Sequence, residues 1–278
     1  MTRVLVTGVR GKTGVPLAQL LVRDGVEVLG GSSSPDAAVP DGVRPVRFSW
    51  DDPAGWADAT AGVDAVYLVR PDRPDAPELV GRLVAGLPTG TRVVLLSEQD
   101  ADQIGPDGWA PRVERAVRDN GRSWTVLRPS LFMQVFTDPR YYRDTVVDAG
   151  ELPFASGGAS IAWIDARDIA AVAARALLDD GHAGQVHELT GPEALSLPRT
   201  AELLGRAVGR PVVHRERTVE ETVAGSEGFD RDLSMVTFGR VGAGVFAPVT
   251  DVVERVTGRP AGTLEQFLAD AGPELGAP

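Results

Sequence analysis

Residues Val6–Gly14 read VTGVRGKTG, with glycines at Gly8, Gly11 and Gly14 and a single lysine, Lys12. The stretch follows a β-branched apolar run, RVLVT (Arg3–Thr7), and precedes a segment from Val15 to Asp24 whose leucines Leu17, Leu20 and Leu21 fall on one helical face. A glycine triple between a strand and a helix serves a tight turn, where backbone must adopt positive φ or approach a ligand closely. The helix N-terminus beyond it offers N–H groups and a partial positive charge to a pyrophosphate. A P-loop is the chemical rival, because Gly11-Lys12-Thr13 ends like that motif. It requires a further glycine five residues before Gly11. That position is Val6, inside the strand, so the loop is too short to wrap a β-phosphate.

Outward from this turn the first half of the chain alternates. Strand-like runs at Val26–Gly30, Arg44–Phe48, Asp64–Val69, Arg92–Ser97 and Ser123–Pro129 are separated by helical patterns at Pro53–Thr60, Pro77–Leu87 and Trp109–Asn120. Continuous apolar strands joined by helices predict an α/β fold, a Rossmann-type doubly wound parallel sheet. Beyond Pro129 the pattern loosens. A short strand is expected at Ile161–Ile164 and a helix over Ala166–Leu178 with Asp165 as N-cap. A strand over Gln185–Gly191 and a helix over Leu197–Val208 ending at Gly209 follow. Two late helices are expected, at Val249–Val256 and Leu264–Ala271. The predicted division is a dinucleotide-binding region over residues 1–130 and a smaller substrate-binding α/β region over 131–278, interleaved with the same sheet.

Composition narrows the function. The chain has 278 residues, 43% hydrophobic and 24% charged, as in soluble globular proteins. No apolar run reaches the roughly 18–20 residues of a bilayer span, and a charged-then-apolar leader is not seen, so a cytoplasmic location is expected. A net charge of −11 disfavours nucleic acid, whose phosphates need a basic face. There is no cysteine, and His182, His187 and His214 lack zinc-binding spacing, so no metal is expected. Of 28 Lys and Arg residues only Lys12 is a lysine, leaving 27 arginines. Any mechanism that needs a lysine must use Lys12.

The second strand decides between NAD and NADP. An NAD site carries a carboxylate at that strand's end for the ribose 2′-hydroxyl. Here the strand runs into Gly31-Ser32-Ser33-Ser34, with no carboxylate until Asp36. Three hydroxyls, facing a loop with Arg10 and Lys12, suit a 2′-phosphate and charge-assisted hydrogen bonds. NADP is therefore favoured, with NAD still open.

These residues resemble the atypical short-chain dehydrogenase/reductases of the NmrA-like kind, near the reductases of ergot alkaloid pathways. The resemblance rests on VLVTGVRGKTG at the start, DAVYLVRP (Asp64–Pro71), RVVLLS (Arg92–Ser97), WTVLRPSLFM (Trp124–Met133), WIDARDIAAVAARAL (Trp163–Leu177), HELTGPEALS (His187–Ser196) and the tail from Phe246. It implies that Gly8, Arg10, Gly11, Lys12, Thr13 and Gly14 line the pyrophosphate and ribose. It further implies that Val69, Arg70 and Pro71 pass the adenosine and nicotinamide ribose. Ser97 would lie at the mouth after the fifth strand, and Pro129 to Phe132 would flank the nicotinamide. Ser33 stands where many relatives carry an arginine for the 2′-phosphate, a departure that weighs against NADP.

The ordinary short-chain enzymes pair a tyrosine with a lysine four residues on, which lowers the phenol pKa for proton donation. Tyr67 lies in a strand, and Tyr141 and Tyr142 are followed by Thr145 and Val146, so the pair is missing. The helix that carries a lysine in some NmrA-like reductases reads WAPRVERAV here, with Pro111 and Arg112. Hydride transfer to an activated acceptor does not require such an acid. Water, Ser97, Tyr141 or Tyr142 are the candidate proton sources. The expected activity is NADP(H)-dependent reduction of a C=N, C=C or quinone-like bond on an apolar small molecule, in a monomer or homodimer without membrane or nucleic-acid partners. The aromatic segment Leu131–Phe154 would form the substrate wall. The alternatives are a cofactor-binding regulator without turnover, or a non-redox cyclase or isomerase on the same fold.

Overall fold

In the computed structural model, which describes residues 2–34 and 38–275, Val4, Leu5 and Val6 have no solvent exposure. A run buried on both faces must sit inside a sheet covered by helices. The chain begins β1 (Arg3–Thr7), α1 (Gly14–Arg23), β2 (Glu27–Ser32), β3 (Arg44–Arg47), α2 (Trp56–Ala59), β4 (Ala65–Val69) and α3 (Ala76–Gly86). It continues with β5 (Arg92–Leu96), α4 (Trp109–Arg118), β6 (Ser123–Pro129), β7 (Glu151–Phe154), β8 (Ser160–Ile161), α5 (Ala166–Leu178) and β9 (Gln185–Leu189). Then come β10 (Leu195–Ser196), α6 (Leu197–Val208), β11 (Val213–Glu216), α7 (Val219–Thr222), α8 (Gly228–Gly242), α9 (Val252–Thr257) and α10 (Leu264–Asp270).

The main sheet has the order β3-β2-β1-β4-β5-β6-β9, and the pairings from β3 through β6 are parallel. Strand order reverses at β1, which makes the end of β1 the topological switch point of a doubly wound Rossmann sheet. The expected fold class is therefore found. β6 and α5 have the ends read from the sequence, and the strands β1 to β5 lie within two residues of them. One difference matters for the site: β2 does not stop at Gly30 but runs through Ser32, so Ser32 is strand, paired with Arg47 of β3.

The chain divides into two units. The first holds the chain up to Pro129 together with Ala166–Glu188; the second holds Ser130–Asp165 and the chain from Leu189 onward. Each has its own core. The first packs Leu5, Leu29, Val66, Leu68, Val80, Leu83, Val93 and Leu95 between the sheet and its helices. The second centres on Trp163, whose ring meets Phe136 edge-on at 4.9 Å and Phe154 at 5.8 Å. Its indole N–H donates to the Thr200 hydroxyl, 3.2 Å away. Two small two-stranded sheets, β8–β10 and β7–β11, complete it. The expected strand at Ile161–Ile164 is shorter than read: β8 ends at Ile161, and Ile164 forms an isolated bridge with Phe132. The sequence reading found two late helices where the structure also has α8, fifteen residues long with Val241 as its buried residue. The late helix expected at Val249–Val256 starts three residues further on, at Val252.

A buried ion cluster ties α4 to the sheet of the first unit. Glu114, on the inner face of α4, receives both Nε and Nη2 of Arg128 from β6, at 2.9 and 2.8 Å. Arg118 reaches the same carboxylate at 2.7 Å from one turn along α4. Arg128 also pairs with Glu188 at 3.0 Å and with Asp102. Glu114 is 2% and Arg128 6% exposed, so neither charge is hydrated. Removing one partner strands the other in a dry interior. Glu114→Ala is expected to cost about 3 kcal/mol, the low end of the range for breaking a buried pair, because Arg128 keeps Glu188 and Asp102. The double change Glu114→Leu with Arg128→Met should cost less than either single change. Urea denaturation of Glu114→Ala, the two single changes and the double variant checks both, and a Glu114→Ala loss under about 1 kcal/mol would show that the pair behaves as a solvated one.

Candidate functional site

The loop after β1 is built from backbone. Gly8 has φ of +66°, a conformation L side chains rarely adopt, and its carbonyl turns inward to accept the Gly11 N–H at 2.8 Å. The same carbonyl occupies the space above Gly14, where an added Cβ would overlap it and come within 2.9 Å of Val9 Cα. At Gly11 an added Cβ would lie 3.0 Å from that oxygen, a tighter but less severe approach. Each of the three glycines therefore has a separate reason, and together they let α1 start directly on the end of β1. The first turn of α1 carries no acidic residue and no side-chain cap. It leaves the positive end of the helix dipole facing the turn.

Polar side chains lock this turn to the sheet. Thr7 Oγ1 donates to the Tyr67 carbonyl at 3.1 Å and accepts from the Val69 N–H at 2.8 Å, joining the ends of β1 and β4. The Tyr67 phenol, fully buried, donates to the Thr13 hydroxyl at 3.0 Å. Burial pushes that phenol well above its ordinary pKa, with the Thr13 contact opposing, so it remains a neutral donor. Thr13 is expected among the cofactor residues and Tyr67 only as part of a strand; the fold pairs the two across 54 positions. Arg10 is exposed on the turn and Lys12 half-buried.

At the end of β2, Ser32 is buried and its hydroxyl is spent within its own turn. It donates to the Ser34 carbonyl at 3.0 Å and accepts the Ser34 N–H at 3.1 Å. Of the three hydroxyls counted from sequence, those of Ser33 and Ser34 remain exposed. Asp36 lies outside the described residues. After β4, Arg70 forms a small assembly of its own. It donates to the Leu96 carbonyl at 3.2 Å, pairs with Glu98 at 2.8 Å and stacks over Trp109, 4.5 Å from the ring centre. Val69, Arg70 and Pro71 are all half-buried at this edge of the first unit.

The three candidate proton donors sit in different environments. Ser97 is 4% exposed and donates to Glu114 Oε1 at 2.7 Å. Its hydroxyl proton points into the buried ion cluster. In the second unit, Tyr142 packs on Phe136 and Phe154, with ring centres 6.4 and 5.5 Å away. Burial, and secondarily the neighbouring Tyr141, push its phenol well above the usual value, so it is a weaker acid than a free phenol. Tyr141 is 54% exposed. Pro129 is buried at the end of β6. Ser130, the next residue, is buried with its hydroxyl lacking a hydrogen-bond partner. Phe132 is half-buried and bridges to Ile164. Among the described residues no cluster of three or more His, Asp or Glu is placed to hold a metal, and no helix is long and apolar enough to cross a membrane.

Comparison with known proteins places this architecture. The chain is 32% identical over 248 residues to an NAD(P)H azoreductase of Xenophilus azovorans, covering 85% of each protein. It is 34% identical over 232 residues to agroclavine dehydrogenase of Claviceps fusiformis, covering 80% of this chain and 78% of that protein. The fold superposes on an NADPH-dependent quinone oxidoreductase of Escherichia coli complexed with NADPH, with a TM-score of 0.79 at 20% identity, covering 96% of this chain and 99% of the other. The profile of the NmrA-like family matches residues 109–248. With the sheet order, the glycine turn and these relatives in agreement, the chain belongs to the NmrA-like family of atypical short-chain dehydrogenase/reductases.

Proposed function

We propose that the protein is an NADP(H)-dependent reductase acting on a C=N, C=C, N=N or quinone-like bond of an apolar, conjugated small molecule. The observation that carries this reading is the glycine turn at the switch point. A backbone surface with no room for side chains, opening onto the positive end of α1, matches what a pyrophosphate needs. The relatives add that proteins of this family with about a third of the same residues include an azoreductase and a clavine dehydrogenase.

On this reading Gly8, Gly11 and Gly14 hold the pyrophosphate close to backbone. Arg10 and Lys12 supply positive charge, and Val69, Arg70 and Pro71 border the adenosine and ribose. Pro129 and Phe132 are assigned to the nicotinamide's surroundings. The cofactor, when bound, supplies the hydride. What the chain contributes is orientation and exclusion of water. Ser97 holds its proton toward Glu114 and Tyr142 is held above the usual phenol pKa, so neither is poised as an acid. The reading therefore favours substrates whose acceptor bond takes hydride without prior protonation, with Tyr141 or solvent completing the protonation.

Fluorescence titration of the purified protein should show saturable binding of NADPH. Gly14→Ala should weaken that binding at least about tenfold, the scale set by a lost charge-assisted contact, and more than Gly11→Ala does. Circular dichroism would verify that both variants stay folded. Equal, unchanged affinity in the two variants would mean that the turn is not the binding surface. Incubation with NADPH and a panel of azo dyes, quinones, cyclic iminium ions and activated enones should give oxidation of NADPH with at least one of them. Binding without oxidation across the panel would instead favour a cofactor-binding regulator.

A further inference from the structure

The end of β2 is flanked by two arginines, one on the turn that follows β1 and one at the end of β3. On one side lies β1, paired so that Thr7 sits beside Gly31, with exposed Arg10 three residues beyond its end. On the other side lies β3, whose last residue, Arg47, is in register with Ser32. The ladder continues one step further, with the Phe48 N–H donating to the Ser32 carbonyl at 2.9 Å. Neighbouring strands lie about 4.8 Å apart, so Arg47 is fixed by backbone pairing within side-chain reach of Ser33 and Ser34.

The other arginine of β3 shows that this placement is not a general feature of a basic edge strand. Arg44 sits opposite Leu29, toward the far end of β2, and pairs with Glu27 at 3.3 Å. Arg47 lies at the carboxyl end of the strands, where ligands of open α/β sheets bind. It pairs with Asp52 through a contact of 3.3 Å between side chains 68% and 41% exposed. Exposed pairs of this kind hold their partners only weakly. A phosphate dianion presents more charge and more acceptors than one half-exposed carboxylate, and a guanidinium meets it with two parallel N–H groups.

We propose that Arg47 is the residue that selects the 2′-phosphate of NADP(H), acting from β3 across the end of β2, where Ser33 carries no charge. The inference rests on the dinucleotide reading above and deepens it. It replaces the three-serine account, since the Ser32 hydroxyl is consumed within its own turn. Arg10 lies on the opposite flank and supports the same phosphate. Asp52 keeps Arg47 near the strand end until the phosphate takes its place.

The test compares equilibrium binding of NADPH, NADH and 2′,5′-ADP to the wild-type protein, Arg47→Ala and Arg47→Glu, with Arg44→Ala as control. Arg47→Ala should weaken NADPH and 2′,5′-ADP by about ten- to a hundredfold, the range for a lost charged hydrogen bond. NADH should change by less than about twofold, and Arg44→Ala should leave all three ligands unchanged. Arg47→Glu should weaken NADPH further. Adding Ser33→Arg to Arg47→Ala should restore NADPH binding, because the charge returns to the same strand end from β2. Unchanged NADPH affinity in folded Arg47→Ala, or an equal loss for NADH, would overturn the assignment of Arg47 while leaving the cofactor reading standing. Failure of the wild-type protein to bind either dinucleotide would overturn that reading and this one with it.

Discussion

The turn between β1 and α1 depends on one carbonyl group, that of Gly8. It points into the turn, accepts the Gly11 N–H and fills the volume where a side chain on residue 14 would stand. The direction of that carbonyl follows from the positive φ of Gly8, which in turn needs a residue without a Cβ. The surroundings then hold the arrangement from two sides. Below it, Thr7 fastens β1 to β4 through the Tyr67 carbonyl and the Val69 N–H. Above it, Tyr67 reaches the Thr13 hydroxyl at the start of α1. Strand, turn and helix are thus connected through one tyrosine.

Electrostatics divides the chain's arginines into three kinds of work. Arg128 is committed to the interior, where Glu114, Glu188 and Asp102 neutralise it and where it ties α4 to β6. Arg70 lies at the edge of the sheet, flattened on Trp109 and paired with Glu98, a planar arrangement that a lysine would not reproduce. Arg10 and Arg47 are exposed at the carboxyl ends of the strands. The net charge of −11 is a sum over the whole chain and does not describe the local charge around these two arginines.

The main sheet was legible because its strands are buried on both faces and read as uninterrupted apolar runs, as in VLV (Val4–Val6) and VVLL (Val93–Leu96). Helix α6 was legible for a local reason, an N-cap serine at Ser196 and a left-handed glycine at Gly209. Where packing rather than local pattern decides, the reading stopped. Strand β11 is VHRE, mostly exposed, and exists because it pairs with β7. Helix α8 has no apolar stripe, since only Val241 of its fifteen residues is buried, and periodicity had nothing to detect. The capping boxes of α7 and α10, Thr218 with Glu221 and Thr263 with Gln266, were signals present in the sequence; only α10 was read. In the site, the glycines were legible because each has a local geometric reason. Ser32, Ser97 and Arg47 were not, because their roles depend on partners two, seventeen and fifteen residues away, set by a turn, a helix-to-strand contact and a strand register.

The chain's single lysine constrains its chemistry. Lys12 lies on the turn, half-buried, in the first unit, while Tyr141 and Tyr142 belong to the second, and neither tyrosine has a lysine at the spacing that lowers a phenol pKa. Tyr142 is moved in the opposite direction by burial. Ser97, the polar residue just after β5, donates its hydroxyl hydrogen bond to a carboxylate that two arginines already hold. On the proposed reading, a site in which Ser97 and Tyr142 are not poised as acids would gain rate by orientation rather than by proton donation from them. Such a site suits acceptors that are already electron-poor, since a simple ketone would build alkoxide charge that neither Ser97 nor Tyr142 is placed to neutralise, whereas an iminium loses charge as hydride arrives. The chemistry proposed for this protein thus follows from what its acidic groups are already bonded to.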